Sequence, residues 1–500
     1  MKMSRERLYR RLEEADPGEW EALKQLVEQS PWRQRYHIQP VAGLLNDPNG
    51  FSYFEGRYHL FYQWFPLGTQ HGMKYWYHTV SSDLVRWENR GIAIAPDSPY
   101  DSHGVFSGSA IEKDGRLYLM FTGNTRSAEW IRQPYQCLAY MEPDGTISKH
   151  STPVISEVPP GYTDHFRDPK VWKTGDSYYC VIGAQRSDKT GCALLYRSPD
   201  LLEWHFEGEM GTRLKDFGYM WECPDYFEMD GSALLLISPQ GLEPEDDRFQ
   251  NIYQSGYLIG LPIGFDDSKG FHHGEFHELD RGFDFYAPQT TLSPDGRRIL
   301  TAWMGLPDID YPTDSQGWAH CLCLPRELHL AEGRLIQRPA RELVNLRGFE
   351  SRKQLVVSHN TVSVDGFTGT SYELLVHIRE EGASSFGIEF RVGDGEKTVI
   401  AYDRASGKAT LDRSLSGQSV AQEFGTKRSC LVPLQNGILT LRLFVDVSSV
   451  EVFVNDGQEV FTARIFPDPA STGIHFFAEG GSAAFDASKW DIHNWGGYPR

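Results

Sequence analysis

An internal repeat of about 60 residues constrains the fold of this chain more than any other feature. Between residues 45 and 305, a turn containing Gly or Asp precedes an apolar strand five times, and these strands begin near Tyr58, Leu117, Tyr178, Leu234 and Ile299. The starts are separated by 59, 61, 56 and 65 residues. A unit of this length has room for four short strands, and self-similarity at such a period is typical of propellers. The repeat therefore predicts a β-propeller of about five blades.

A second similarity supports the same period. The segment 81–87 (SSDLVRW) matches the segment 198–204 (SPDLLEW), which lies 117 residues later, close to two repeat units. The chain also contains 65 aromatic residues, 48 Gly and 28 Pro, a composition that favours short strands and turns over long helices.

The pattern of apolar and turn residues changes on both sides of the repeat. Residues 4–29 have apolar residues at helical spacing, interrupted at Asp16-Pro17-Gly18, which predicts two short helices. After about residue 350, alternating strands are joined by Gly-rich turns, which predicts an antiparallel sandwich. We therefore predict an all-β chain with a helical N-terminal extension (1–32), a five-bladed β-propeller (33–340) and a C-terminal antiparallel β-sandwich (350–500).

Three carboxylates recur near one end of the predicted inner strands. Asp47, Asp168 and Glu222 precede the next apolar strand by 11, 10 and 12 residues. Since equivalent blade positions converge on one end of the central channel, these side chains should meet in one pocket. Paired carboxylates suit glycoside hydrolysis, in which one supports the anomeric carbon and the other protonates the leaving oxygen. Taken alone, Asp47 before Asn49-Gly50 would read as a solvated turn residue.

Aromatic residues accompany these strands. Trp64, Trp76, Trp221, Tyr286 and Trp303 could offer faces for sugar rings or fill the gaps between blades. Large aromatic residues are usually core, which favours gap filling for most of them. For Trp221 and Trp303, beside predicted inner strands, the sequence favours neither interpretation.

Four ordered motifs resemble glycoside hydrolase family 32, the family of invertases, fructanases and sucrose-6-phosphate hydrolases. They are Asn46-Asp47-Pro48-Asn49-Gly50, Phe106-Ser107-Gly108-Ser109, Arg167-Asp168-Pro169 and Glu222-Cys223-Pro224. The resemblance implies a five-bladed propeller with a C-terminal sandwich. It implies that Asp47 is the nucleophile, Glu222 the acid/base and Asp168 a ligand of fructose hydroxyls. It further implies a fructose site lined by Asn46, Gln63, Phe106, Ser107, Arg167, Tyr286 and Trp303.

Two features concern the leaving-group side. Leu44-Leu45 stands where Trp-Met is common in the family, and His71-Gly72 stands where many relatives have a tryptophan. The stretch 61–66 followed by His71-Gly72 is similar to the bacterial intracellular members that act on sucrose 6-phosphate. We therefore expect retaining hydrolysis of sucrose 6-phosphate, sucrose or both. A fructan hydrolase and a non-catalytic sugar-binding propeller are the alternatives.

The composition restricts partners and compartment. A net charge of -19 argues against nucleic acid and anionic membrane surfaces as partners. The charged N-terminus shows no secretory signal, no stretch is long enough to span a membrane, and the seven cysteines are odd in number and scattered. These features predict a cytoplasmic protein without a disulfide framework, and they do not indicate its oligomeric state.

No cofactor or metal is expected, because protonation and covalent trapping suffice to hydrolyse an acetal. The residues His272, His273 and His277 lie close together in sequence, but we interpret them as part of an exposed loop. A phosphate site is not identified by the sequence. Five cations on predicted loops are candidates for anion binding or for simple solvation, namely Lys74, Arg126, Arg132, Arg186 and Lys189.

Overall fold

The computed structural model describes residues 3–264 and 270–492. It begins with two short helices, α1 (Arg5–Leu8) and α2 (Pro17–Glu28), separated by a 3-10 turn (Leu12–Glu14). Asp16 caps α2 by accepting hydrogen bonds from the backbone N–H groups of Gly18 and Glu19. The predicted interruption is therefore the start of the second helix. In the described ranges, no helix is long and apolar enough to cross a membrane.

Five four-stranded antiparallel blades follow, which confirms the predicted propeller. The first four contain β1 (Gly43–Phe54), β2 (Arg57–Phe65), β3 (Tyr75–Ser81) and β4 (Glu88–Ile94); β5 (Val105–Lys113), β6 (Arg116–Arg126), β7 (Arg132–Met141) and β8 (Ile147–Lys149); β9 (Tyr162–Thr174), β10 (Ser177–Arg186), β11 (Gly191–Ser198) and β12 (His205–Glu209); and β13 (Met220–Met229), β14 (Ser232–Gln240), β15 (Gly256–Gly260) and β16 (His277–Glu278).

The last section of the propeller contains β17 (Tyr286–Leu292), β18 (Arg298–Met304), the short strands β19 (Trp318–Ala319) and β20 (Cys321–Leu322), β21 (Arg326–Ala331) and β22 (Arg334–Pro339). The fifth blade is formed by β17, β18, β21 and β22, with β20 paired to β18. Strand β19 leaves this blade and pairs in parallel with β1. The segment between β18 and β21 thus joins the fifth blade to the first and closes the ring.

The C-terminal region contains β23 (Arg347–Thr368), β24 (Tyr372–Glu381), β25 (Ser385–Val392), β26 (Lys397–Asp403), β27 (Lys408–Leu415), β28 (Lys427–Leu431), β29 (Ile438–Asp446), β30 (Ser449–Val454), β31 (Glu459–Arg464) and β32 (Gly473–Ile492). The first half of β32 pairs with β25 and the second half with β24, on either side of Gly480-Gly481, while β23 pairs along both halves. The predicted sandwich is confirmed, but its two layers share these long strands. Three further 3-10 turns span Pro312–Gln316, Arg341–Leu346 and Gln422–Phe424.

Hydrogen bonds near the propeller axis join each blade to the next. Because an inner strand has no hydrogen-bonded neighbour on its axial side within its own blade, these contacts use side chains. They are Gly108 N–H to Asn49 Oδ1 (3.0 Å), Ser109 Oγ to Pro169 O (2.8 Å), Lys170 Nζ to Asp225 Oδ2 (2.9 Å), Thr290 N–H to Asp225 Oδ2 (2.7 Å), and Phe51 N–H to Gln289 Oε1 (2.7 Å).

All five inner strands also have a break in register at the same level. The breaks fall next to Pro48, Gly108, Pro169, Pro224 and Pro288. Proline lacks an N–H and is accepted within a strand mainly at such irregularities. A bulge sets two residues of one strand against one of its partner and re-aims their side chains. Consecutive residues can therefore both face the mouth of the channel.

A buried charged network joins the propeller to the sandwich. His37 donates from Nδ1 to Asp446 (2.9 Å) and from Nε2 to Glu451 (3.3 Å), and Arg326 donates to Glu451 (2.7 Å). Burial opposes a charge on His37, but its two carboxylate partners outweigh this effect and raise the pKa of His37 to about 9. The domain junction is therefore an ion network as well as an apolar contact.

Candidate active site

The bulges bring Asp47, Asp168 and Glu222 together at one end of the channel. The backbone N–H of Cys223 donates to Asp168 Oδ2 at 3.0 Å, and its Sγ lies 3.7 Å from Asp47 Oδ2. Residues of the five bulges, Asp168 and Cys223 among them, line a cavity of about 10 Å³, which is about the size of one water molecule. The cavity therefore adjoins the carboxylates.

The three acids are not in strictly equivalent positions, which corrects the expectation from their spacing. Asp47 and Asp168 directly precede the bulge prolines Pro48 and Pro169, whereas Glu222 lies one residue earlier and Cys223 takes the equivalent place. Glu222 therefore corresponds to Asn46, Arg167 and Tyr286 of other blades. Each bulge contributes two successive side chains, and this extra residue is what allows Glu222 to reach the pocket.

Asp47 is surrounded by neutral donors. Ser107 Oγ donates to its Oδ2, as does Gln63 Nε2 at 3.2 Å, and Asn46 Nδ2 donates to its Oδ1 at 3.2 Å. Asn46 is itself fixed by Lys74 Nζ, 2.7 Å from its Oδ1. Burial raises the pKa of Asp47 and the charge of Glu222 adds to the effect, although the bonds from Ser107 and Asn46 oppose it.

Glu222 is held by four donated hydrogen bonds. Arg167 donates from Nε (3.0 Å) and Nη2 (2.7 Å) to Oε1, while Tyr286 (2.7 Å) and Gln240 Nε2 (3.0 Å) donate to Oε2. Burial works to raise the pKa of Glu222, but the charge of Arg167 and these bonds outweigh it and lower the pKa. The ionised form of Glu222 is favoured in this arrangement.

Asp168 is almost fully enclosed and has a left-handed backbone with φ of 67°. Burial raises its pKa to about 7; the charge of Arg167 opposes this, and the charges of Glu222 and Asp47 add to it. Three carboxyl groups therefore share one buried site without all being ionised at neutral pH. Such a cluster can supply both a nucleophile and a proton donor.

Aromatic side chains form one wall of the site. Tyr286 and Trp303 are buried neighbours with ring centroids 6.1 Å apart, and His71 lies 5.8 Å from Trp303. The indole N–H of Trp303 has no hydrogen-bond partner among the described residues. Phe106, on the inner strand of the second blade, is half-buried. Trp221 instead packs between the third and fourth blades and donates to Phe217 O at 2.7 Å, so it fills a gap.

The sequence did not indicate several residues of the site. Gln240 ends the strand paired with β13 and reaches Glu222 from there. His165 accepts a hydrogen bond from Arg167 Nη1 at its Nδ1 (3.0 Å). Its position two residues before Arg167, on the same strand, is the signal that could have identified it.

The five candidate cations occupy different environments. Arg126, Arg132 and Arg186 lie at strand ends rather than on loops, which corrects the expectation. Lys74, just before β3, is buried beside Asn46, and Arg186 is paired with Glu209 at 2.7 Å. Lys189 is exposed on a turn.

The histidine segment is only partly the exposed loop that was expected. His273 is buried and accepts a hydrogen bond from the backbone of Arg213 at 3.0 Å, while His277 lies in β16. Within residues 3–264 and 270–492, no three His, Cys, Asp or Glu side chains are grouped as metal ligands would be.

The five-bladed propeller with clustered acids at one mouth of its axis defines a class of glycoside hydrolases. The comparisons with known proteins name the family. The N-terminal domain of glycosyl hydrolases family 32 matches residues 37–339, and the C-terminal domain of that family matches residues 342–494. The chain belongs to glycosyl hydrolase family 32.

Relatives and solved structures agree with this assignment. The sucrose-6-phosphate hydrolase of Staphylococcus xylosus is 48% identical over 98% of both chains, and that of Bacillus subtilis is 43% identical over 96% of both. A sucrose-6-phosphate hydrolase from Lactobacillus gasseri superposes with a TM-score of 0.92 and 37% identity over 99% of this chain and 100% of the other. A variant of a Bombyx mori β-fructofuranosidase, solved in complex with sucrose, matches with a TM-score of 0.81 and 32% identity over 96% of this chain and 99% of the other.

Proposed function

We propose that this glycoside hydrolase acts in the cytoplasm and cleaves the β-fructofuranosidic bond of sucrose 6-phosphate, and less efficiently that of sucrose. The observation that supports the reaction is the convergence of Asp47, Asp168 and Glu222 around Cys223. The phosphorylated substrate is supported by relatives that match almost the whole chain and are named sucrose-6-phosphate hydrolases.

In the proposed mechanism, Asp47 attacks the anomeric carbon of the fructosyl unit and Glu222 donates a proton to the departing glycosidic oxygen. The bond from carbon to that oxygen breaks as the bond to Asp47 forms. A water molecule then attacks the fructosyl ester, gives its proton to Glu222 and releases fructose with a free Asp47. Two displacements at one carbon retain its configuration.

The first step requires a protonated Glu222, whereas Arg167 and Tyr286 lower the pKa of Glu222 in the free enzyme, so Glu222 must take up a proton before the leaving oxygen departs. The negative charges of Asp47 and Glu222 each disfavour ionisation of the other. Once Asp47 is an ester it carries no charge, so Glu222 gives up its proton more readily and is ready to act as a base. Asp168, enclosed beside both, would accept hydrogen bonds from fructose hydroxyls. No metal or organic cofactor enters this scheme.

The catalytic assignment is tested by Asp47→Asn and Glu222→Gln. Each should lower kcat on sucrose by about 1000-fold or more, because no other group nearby can replace a nucleophile or a positioned acid. On β-fructofuranosyl fluoride, Glu222→Gln should slow the first displacement much less, since fluoride leaves without protonation. Glu228→Gln, an exposed position on the same strand, is the matched control and should retain activity. Substantial activity in both acid variants would refute the assignment.

The substrate is tested by steady-state kinetics on sucrose 6-phosphate, sucrose and inulin in parallel. We expect sucrose 6-phosphate to have the lowest KM of the three substrates. Its kcat should be similar to that of sucrose, because a remote phosphate contact mainly adds uniform binding. The first product observed by NMR should be β-fructofuranose. Preference for inulin would favour a fructan hydrolase, and an inverted product would exclude the double displacement.

A further inference from the structure

We propose that Arg126, Arg132 and His165 form a subsite for the phosphate group of a sugar phosphate at the rim of the active site. The inference rests on the proposed function, which it extends by naming residues that would recognise the phosphate. Arg126 and Arg132 are paired across the β6–β7 hairpin, so both guanidinium groups extend from one hairpin end.

This basic cluster is in direct contact with the acid/base region. Arg132 Nη1 lies 3.4 Å from His165 Nδ1, and Arg167 Nη1 lies 3.0 Å from the same nitrogen. Arg167 in turn binds Glu222, the proposed proton donor to the leaving group. A group attached to the leaving sugar would therefore be within reach of the cluster, while the fructosyl unit occupies the carboxylate end.

The positive charge of the cluster is not neutralised by salt bridges. Among the described residues, Arg167 and Arg186 each have a carboxylate partner, whereas Arg126 and Arg132 form no salt bridge. Arg126 Nε is buried without a hydrogen-bond partner in the same described part of the chain. Burial and the charges of Arg167 and Arg126 lower the pKa of Arg132 to about 10, and the charges of Asp164 and Glu222 do not offset them. A dianion would relieve this repulsion.

His165 adds a neutral donor. Burial and the two neighbouring arginines lower the pKa of His165 to about 4, so its ring is uncharged at neutral pH. Its Nδ1 accepts from both guanidinium groups, which leaves the proton on Nε2. The cluster thus combines two cations and one N–H donor, a set well suited to a phosphate oxygen.

The N-terminal segment supports the hairpin from outside. At the hairpin tip, the Trp130 ring lies 4.2 Å from the Arg5 guanidinium and 5.2 Å from the Tyr9 ring. These contacts fix the turn between the two arginines. The remaining candidate cations are less suitable, because Arg186 is occupied by Glu209 and Lys74 is directed toward Asn46 on the fructose side.

The test compares Arg126→Gln and Arg132→Gln with the wild-type enzyme on sucrose 6-phosphate and sucrose. Each variant should raise KM for sucrose 6-phosphate about 10-fold or more and lower its kcat/KM relative to that of sucrose by a similar factor, since charge-assisted bonds to phosphate are strong. Arg116→Gln, at the exposed opposite end of the same strand β6, is the matched control and should leave the ratio unchanged. An unchanged ratio in both test variants would overturn the subsite.

The same experiment separates the subsite from the function on which it rests. If the wild-type enzyme prefers sucrose 6-phosphate and both variants keep that preference, the subsite alone is wrong. If the wild-type enzyme treats the two sugars equally, both proposals fail. Inhibition of wild-type sucrose hydrolysis provides a test that needs no variant. Glucose 6-phosphate should inhibit at least about 10-fold more strongly than glucose or inorganic phosphate; equal inhibition by phosphate alone would indicate a general anion site and refute recognition of a sugar phosphate.

Discussion

Replacing Asp168 by Asn should make the protein more stable at alkaline pH while largely removing its activity. The wild-type carboxyl is buried beside two other acids, and its pKa of about 7 lies well above the ordinary value of 3.8. The folded chain therefore retains a proton that the unfolded chain releases. The contribution of this carboxyl to the free energy of unfolding is fully present below about pH 4, declines as the pH rises, and is lost above about pH 7.

The size of the effect follows from those values. At about 1.4 kcal/mol for each tenfold change in acidity, the difference between 3.8 and about 7 corresponds to a penalty of about 4 kcal/mol at pH 8. Asn keeps an acceptor for the Cys223 N–H and readily adopts the left-handed backbone found here, but it loses the attraction of Arg167. We therefore expect a net gain of about 1–3 kcal/mol at pH 8, falling toward zero near pH 4.

Urea unfolding followed by tryptophan fluorescence at pH 4.5 and pH 8 measures this gain. The control is Asp225→Asn, which removes the partner of Lys170 in the same channel and should destabilise the protein at both pH values by about 3–5 kcal/mol. Activity on sucrose should fall about 100-fold or more, because Asp168 is the proposed ligand of fructose hydroxyls. A variant that is no more stable at pH 8, or equally stabilised at both pH values, would refute the reasoning.

Three further predictions concern the site and its support. Tyr286→Phe removes a hydrogen-bond donor to ionised Glu222, so the pKa of Glu222 should rise. The basic limb of the plot of kcat/KM against pH should then shift to higher pH, and an unshifted limb would contradict this. His37→Gln should lower the free energy of unfolding by about 3–5 kcal/mol at pH 6, because the charged ring bridges buried carboxylates. Thermal unfolding should show that the stability difference between wild type and variant disappears as the pH rises through 9. Gly108→Ala would place Cβ 1.9 Å from Met120 O and should lower the melting temperature sharply; a wild-type value would show that the strands can separate.

The sequence was a good guide to the propeller because the information needed is local. The five apolar segments that define the repeat are the second strands of the five blades, and the segments before them are the inner strands. Turn residues and short alternating strands specify this pattern within each unit. The boundaries assigned to the domains, 33–340 and 350–500, remain predictions.

The details of the site depended on strand register and on contacts between blades. Gln240 reaches Glu222 because of the hairpin register of the fourth blade, and Arg132 of the second blade reaches His165 of the third. No periodicity in the sequence specifies such pairings. The sharing of β23 and β32 by both layers of the sandwich was missed for the same reason, since it depends on where a long strand bends.

The bulges, in contrast, left a signal that the spacing argument did not use. Proline occurs at the same level in four inner strands, and a proline within a strand usually marks an irregularity. The break explains why neighbouring residues such as Asn46-Asp47 and Arg167-Asp168 can both contribute to one pocket. A regular strand would turn one of each pair away from the mouth of the channel.

Five equivalent bulges give the propeller two successive side chains per blade at one mouth, and the chemistry depends on how differently they are used. Five acids at these positions would repel one another in a buried space. Instead, acids on three blades are balanced by Arg167 on one of them and by neutral donors on the other two, Ser107 for Asp47 and Tyr286 for Glu222. Arg167 and Tyr286 therefore favour the anion of Glu222, while burial and the two neighbouring acids favour a proton on Asp168. A fold of similar repeats can hold acids of different protonation in one pocket because its repeats differ at these few bulge residues.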